Sequence, residues 1–214
     1  MMCENASSRK QTSRYLTGAL LLAALTLAGC ATRESLSLPE LGDWDSRQYL
    51  LGQLDDWEFN GRIGVTAGDD GFNASLRWAQ NGNDFQATVS GPLGIGTVRL
   101  EGDGRRVELT DKDGNRTVLD DAENDLYLRY GWTIPVQSLR YWALGIPDPA
   151  APATTEFDEQ GQLQGLAQGG WNVSITRYGD GGGQAMPTRL TAVGEETRVK
   201  LVIHNWSFFD QPRP

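Results

Sequence analysis

Apolar side chains recur at every second position through most of this chain. Phe59, Ile63 and Val65 alternate with Glu58, Asn60, Arg62 and Gly64. Phe72, Ala74, Leu76 and Trp78 alternate with Asn73, Ser75 and Arg77, and Phe85, Ala87 and Val89 with Gln86 and Thr88. A period of two with one apolar face predicts half-buried strands. The separators GDDG, QNGND, GDG and DKDG are turn formers spaced closely enough for an antiparallel meander rather than strand-helix-strand units. Further strands are predicted over 97–101, 106–110, 115–119, 154–158, 162–168, 171–178, 188–193 and 197–206. In the last of these Val199, Leu201 and Ile203 form one face, while Val202 and Trp206 add apolar surface to the other. Helical spacing replaces the alternation in three places: 43–54, with Asp43 as N-cap, then AENDLYLRYG (122–131) and PVQSLRYWALG (135–145). The expectation is a mainly β fold of about eleven antiparallel strands with a few helices. No shift in composition divides residues 43–214, which read as one domain.

The first residues follow another pattern. Arg9, Lys10 and Arg14 precede an apolar run from Tyr15 to Cys30, too short to span a bilayer as a helix. Its end, Leu27-Ala28-Gly29-Cys30, resembles the bacterial lipobox, so residues 1–29 read as a lipoprotein signal peptide and Cys30 as the lipidated N-terminus. Residues 30–42 are expected to form a flexible tether. Ala31 stands where an aspartate would resemble an inner-membrane retention signal, which favours the outer membrane, facing the periplasm.

Composition then removes most chemistry. Cleavage takes three basic residues and Glu4 with the leader, leaving 185 residues with 16 Lys+Arg against 27 Asp+Glu, a net charge of −11. So acidic a body suits neither nucleic acid nor electrostatic attachment to anionic lipid. His204 is the single histidine, which excludes two-histidine metal sites, and in a strand near Trp206 it reads as structural. The two cysteines, Cys3 and Cys30, cannot staple the body. Asp120, Asp121, Glu123 and Asp125 lack the spacing of a calcium loop and sit at a helix N-terminus, where negative charge is favourable. Arg62, Arg77 and Arg140 either meet a partner or line a solvated face. No pair of carboxylates is marked out for glycoside hydrolysis.

What remains is apolar surface. A sheet of about eleven strands must close or be covered. Seven tryptophans, all in the mature part, line either a core or a hydrophobic cavity. The loop Gly91-Pro92-Leu93-Gly94-Ile95-Gly96 carries two bulky apolar residues where a turn would be polar, either folded back or projecting.

The segments GRIGV (61–65), LRWAQNGNDF (76–85), GPLG (91–94), IPVQSLRYWALGIP (134–147), QGGWNVSITRYG (168–179), MPTRL (186–190) and VKLVIHNW (199–206) are similar, in order and spacing, to the outer-membrane lipoprotein receptor family LolB. The resemblance covers about Trp57 to Trp206. It implies an incomplete, half-open antiparallel β-barrel capped by helices around a hydrophobic cavity, with Phe59, Ile63, Val65, Leu76, Trp78, Phe85, Trp142, Trp171 and Ile203 as cavity-lining candidates. It implies a receptor that accepts lipoproteins from a soluble periplasmic carrier and inserts their acyl chains into outer-membrane lipid, with Leu93 as the membrane-inserting tip; Ile95 in the same loop is expected to join it, the acyl chains to be of palmitoyl type and the protein to be a monomer. No cofactor, metal or catalytic residue is implied. Sparse lysine and the GDGGGQ loop (179–184) depart from enterobacterial members of the family. The competing expectation is a lipocalin-like lipoprotein that shuttles a free hydrophobic ligand.

Overall fold

A computed structural model describes residues 35–92, 96–103 and 105–210, without the side chain of Tyr130. The signal peptide, Cys30, Leu93 and Ile95 lie outside the described residues.

Eleven strands form one antiparallel sheet: β1 (Asp56–Ala67), β2 (Asp70–Asn81), β3 (Asp84–Ser90), β4 (Val98–Gly102), β5 (Val107–Thr110), β6 (Arg116–Leu119), β7 (Ala153–Phe157), β8 (Leu163–Gln168), β9 (Trp171–Gly181), β10 (Gln184–Val193) and β11 (Thr197–Phe208). Their order is β6-β5-β4-β3-β2-β1-β11-β10-β9-β8-β7. Two meanders therefore meet in the middle, where the first strand pairs with the last. The outer strands β6 and β7 are not paired with each other, so the sheet is not closed into a barrel. Among the described residues three helices accompany the sheet: α1 (Trp44–Gly52), α2 (Ala122–Tyr130) and α3 (Val136–Leu144). The last two carry the chain from one outer strand towards the other. Asp43 caps α1 by accepting from Ser46 N at 2.8 Å, and Asp121 caps α2 by accepting from Asn124 N at 3.2 Å.

Alternation puts one face of most strands inside, β4 and β7 excepted. Trp57, Phe59, Ile63 and Val65 of β1 are buried, while Asn60, Arg62 and Thr66 are exposed. The last strand departs from the simple alternation. Asn60 faces Asn205, whereas Gly61 faces Ile203, so His204 is the extra residue of a β-bulge. The bulge reverses the side-chain phase beyond it. Trp206, expected on the outer face, turns inward opposite Phe59, with ring centroids 5.2 Å apart, and Phe208 follows opposite Trp57. His204 itself is exposed. The bulge also requires a glycine, because a Cβ on Gly61 would meet the Val202 carbonyl oxygen at 2.2 Å.

β10 starts at Gln184 rather than Thr188. Pro187 sits at a register shift between β9 and β10, a place where a proline does not cost a ladder bond. GDGGGQ is accordingly the tip of a hairpin, turned by Gly182 and Gly183 at φ of 70° and 92°.

The expected tether also shortens. Leu36 N donates to Phe208 O at 2.7 Å, Leu38 N to Gly182 O at 2.5 Å, and Phe208 N to Ser35 Oγ at 3.2 Å. Leu38 is buried, and Gln184 Nε2 donates to Pro39 O at 2.9 Å. Residues 35–39 are therefore part of the folded body, because this polar stretch satisfies its backbone on the ends of β9, β10 and β11.

Candidate functional site

The inner face of the sheet gathers all nine cavity-lining candidates. Phe59, Ile63 and Val65 come from β1, Leu76 and Trp78 from β2, Phe85 from β3, Trp171 from β9 and Ile203 from β11, with Trp142 reaching in from α3; all are buried. The aromatic members form a slab. Phe59 and Trp78 are direct cross-strand partners and lie stacked at 6.3 Å; Trp78 and Phe85 stack at 4.5 Å. Trp206 joins from the bulged end of β11, 5.7 Å from Trp57. Such packing adds to the stabilisation from burying apolar area.

Indole N–H groups in this interior need acceptors, and glutamines supply them. Trp78 Nε1 donates to Gln80 Oε1 at 3.0 Å, and Gln80 Nε2 donates to the carbonyls of Gly82 and Asp84 at 2.9 and 3.0 Å. On the other side Trp142 Nε1 donates to Gln168 Oε1 at 2.9 Å. Gln168 also accepts from Asp148 N at 2.9 Å and donates to Asp148 O and Ala151 O at 2.7 Å each. The buried side of α3, from Val136 through Leu139 and Trp142 to Leu144, is thereby fixed over the sheet, and Gln168 ties its exit segment to β8. Sequence reasoning missed both glutamines. Their signal was present: each falls in step with the inward residues of its strand, where only a partnered polar group is tolerated.

A second missed group is Arg47 of α1, which is buried. Nη1 donates to Gln184 Oε1 at 2.7 Å, Nη2 donates to Ala185 O, and the guanidinium lies 5.7 Å from the centroid of the Tyr178 ring. Burial lowers the guanidinium's pKa and raises that of the Tyr178 hydroxyl, which donates to Leu163 O at 2.7 Å. The arrangement pins α1 to β10 without an ion pair.

The remaining charged candidates sit outside this interior. Arg77 pairs with Glu58 at 3.2 Å on the exposed face, Arg62 is exposed, and Arg140 donates to Asn83 O at 3.3 Å, tying α3 to the β2–β3 turn. Among the described residues no group of three or more His, Cys, Asp or Glu side chains is arranged to hold a metal ion. Asp120 pairs with Arg106 at 3.4 Å, and Asp121 serves as the helix cap. Glu123 differs from these neighbours. Partial desolvation raises its carboxyl above the ordinary value; a hydrogen bond from Trp171 opposes this, and the neighbouring charge of Asp121 adds to it. Because the folded-state value lies above the unfolded one, this contribution is complete below the ordinary carboxylate range and is lost as pH rises through the raised value. Glu123→Gln is accordingly expected to stabilise the protein at pH 7 more than at pH 4. Urea unfolding at the two pH values checks this, and an equal effect at both would contradict it.

Among the described residues, cavities open at the surface of about 750 Å³ along β7–β9, about 410 Å³ between Tyr127, Trp171 and Glu196, and about 520 Å³ between the start of α2 and the start of α3. Only Trp171 among the nine candidates lines any of them. The loop after β3 has a described base, where Ser90 Oγ and Thr97 Oγ1 lie 3.0 Å apart. Among the described residues no helix is long and apolar enough to cross a membrane.

Residues 55–206 match the family model described as outer membrane lipoprotein LolB. The chain is 34% identical to the outer-membrane lipoprotein LolB of Nitrosococcus oceani over 87% of this chain and 94% of the relative. It is 35% identical to that of Pseudomonas aeruginosa over 91% of this chain and 96% of the relative. Among solved structures, a LolA superfamily protein from Nitrosomonas europaea superposes with a TM-score of 0.52 at 10% identity, covering 78% of this chain and 94% of the other; that likeness concerns the fold alone.

Proposed function

Because the chain belongs to the outer membrane lipoprotein LolB family, we propose that it is the membrane-anchored receptor that takes lipoproteins from a soluble periplasmic carrier and passes their acyl chains into the outer membrane. The observation that carries this reading is the open eleven-stranded sheet, whose single apolar face is roofed by α3. An acyl chain of about 16 carbons gains on the order of 13 kcal/mol on leaving water, at about 0.8 kcal/mol per CH₂. Only an apolar interior can carry it between carrier and bilayer.

The interior is filled by its own aromatic residues, so an entering chain displaces Trp, Phe and Leu contacts that re-form once it leaves. That competition weakens the receptor's hold relative to the bilayer, and transfer runs downhill through graded affinities without ATP. No bond is made or broken, and no cofactor takes part. Residues 1–29 are removed as the signal peptide, lipidated Cys30 anchors the monomer on the periplasmic face of the outer membrane, and Leu93 and Ile95 enter the lipid during delivery.

The test is transfer of a labelled, carrier-bound acylated lipoprotein to liposomes. The protein is expected to strip the lipoprotein from its carrier and leave it in the vesicles. Uptake of free fatty acid without any exchange with the carrier would instead indicate a lipocalin-like shuttle.

A further inference from the structure

The open sheet leaves two outer strands, and they differ. β6 is four residues long, carries the Arg116–Glu108 ion pair at 3.1 Å, and runs almost directly into α2. β7 is exposed or half-exposed along its whole length, and among the described residues only β8 bonds the backbone of Ala153–Glu156. Natural edge strands are guarded by lysines, prolines, inward charges or a covering segment. β7 contains neither lysine nor proline, and its one bulge lies at its far end, between Glu156 and Phe157. The cavity of about 750 Å³ runs beside it, lined by Thr154, Glu156, Gln164, Asn172, Ser174 and Arg177. This surface offers unpaired peptide groups flanked by polar side chains, the setting for an added strand.

The chain's own linker indicates what the occupant is. Behind Cys30 runs the polar segment ATRESLSL, and its second half lies along the sheet ends, held through main-chain groups at Leu36 and Leu38. A polypeptide following a lipidated cysteine is therefore already bound to this sheet by its backbone. We propose that the free edge of β7 takes up the extended segment that follows the acylated cysteine of a cargo lipoprotein, adding it to the sheet as a twelfth strand. The inference rests on the receptor reading and deepens it. Main-chain pairing is indifferent to side-chain sequence, so one edge serves cargoes that share only an acylated cysteine and a polar linker. Ala153 pairs with Gln168, the residue that holds Trp142, so the edge adjoins the apolar interior that the acyl chains enter.

The full-length protein carrying a photo-crosslinking phenylalanine analogue at Thr154 is mixed with carrier-bound acylated lipoprotein, and a second version carries it at Val118 on β6. Crosslinks from position 154 are expected to map to the residues just behind the cargo cysteine, about 5-fold or more above those from 118. Thr154→Pro and Thr155→Pro supply an independent readout, since the one whose N–H points away from β8 keeps the fold and is expected to slow transfer by about 10-fold. Crosslinks at 118 in place of 154, crosslinks from 154 only to a second copy of this chain, or full-rate transfer by the proline variant that keeps the fold would overturn the proposal. Absence of transfer by the unaltered protein overturns the receptor reading, and this inference with it.

Discussion

Trp142→Ala is expected to remove about 3–5 kcal/mol of stability, the range for deleting a buried aromatic side chain. For a domain of this size each kcal/mol shifts the melting temperature by about 2–4 °C, so the midpoint should fall by roughly 6–20 °C. The effect is large because Trp142 is 1% exposed and joins the roof to the sheet. It fills the space under α3, its ring centroid lies 6.2 Å from that of Trp171, and its N–H is partnered by Gln168. Trp142→Phe separates these roles. Gln168 keeps its bonds to Asp148 and Ala151, so the phenylalanine variant should lose less than half as much as the alanine variant. Thermal melts followed by circular dichroism decide the matter. A shift of under about 2 °C for Trp142→Ala would mean that α3 is not held by this contact.

Leu93→Glu is expected to leave the fold and the uptake of cargo intact while delivery to liposomes falls by about 10-fold or more. Burying a leucine side chain in lipid is worth about 1.5–3 kcal/mol, equivalent to roughly 10- to 150-fold in an equilibrium, and the new carboxylate adds a desolvation cost. Ser90 and Thr97 close the loop at its base, and the described β3–β4 pairing ends at Val89 and Val98. Leu93→Ala should show an intermediate loss. The measurement is the fraction of lipoprotein recovered with vesicles after transfer, beside the fraction released from the carrier. Undiminished delivery by the glutamate variant would remove Leu93 from the membrane-inserting role.

Much of this architecture was legible along the chain because a half-buried antiparallel sheet writes its own period into the sequence. Eleven strands, the helices and the cap at Asp43 follow from alternation and turn chemistry, and the acidic cluster that holds Asp121 follows as a helix N-terminus. The departures share one cause: they are set by partners distant in sequence. The bulge at His204 depends on how β11 meets Gly61; along the chain it shows only as a change of phase between Ile203 and Trp206, which reads equally as apolar surface on a second face. The start of β10 was hidden by Pro187, which reads as a break unless the register shift against β9 is known. Residues 35–39 look like a polar tether, yet their amide and carbonyl groups find Phe208, Gly182 and Gln184. For the candidate site, the apolar members could be read from their positions on alternating strands. Gln80 and Gln168 could be read that way only as inward polar groups in need of a partner, and Arg47, on a helix, carried no such mark; which partner each finds is set by the fold.

The pairing of the first strand with the last bears on how this protein comes to be folded. The residues that face each other across β1 and β11 stand 130 to 151 positions apart. Local hairpins can zip within each meander soon after synthesis, but closing the centre must wait for the last strand and carries the entropy of a very long loop. Until then β1 is an edge, with Trp57 and Phe59 uncovered on one side and a row of unpaired peptide groups on the other, a species prone to aggregation. The fold is therefore committed late and all at once, and a chain cut short before Thr197 would hold two half-sheets with no centre to join them.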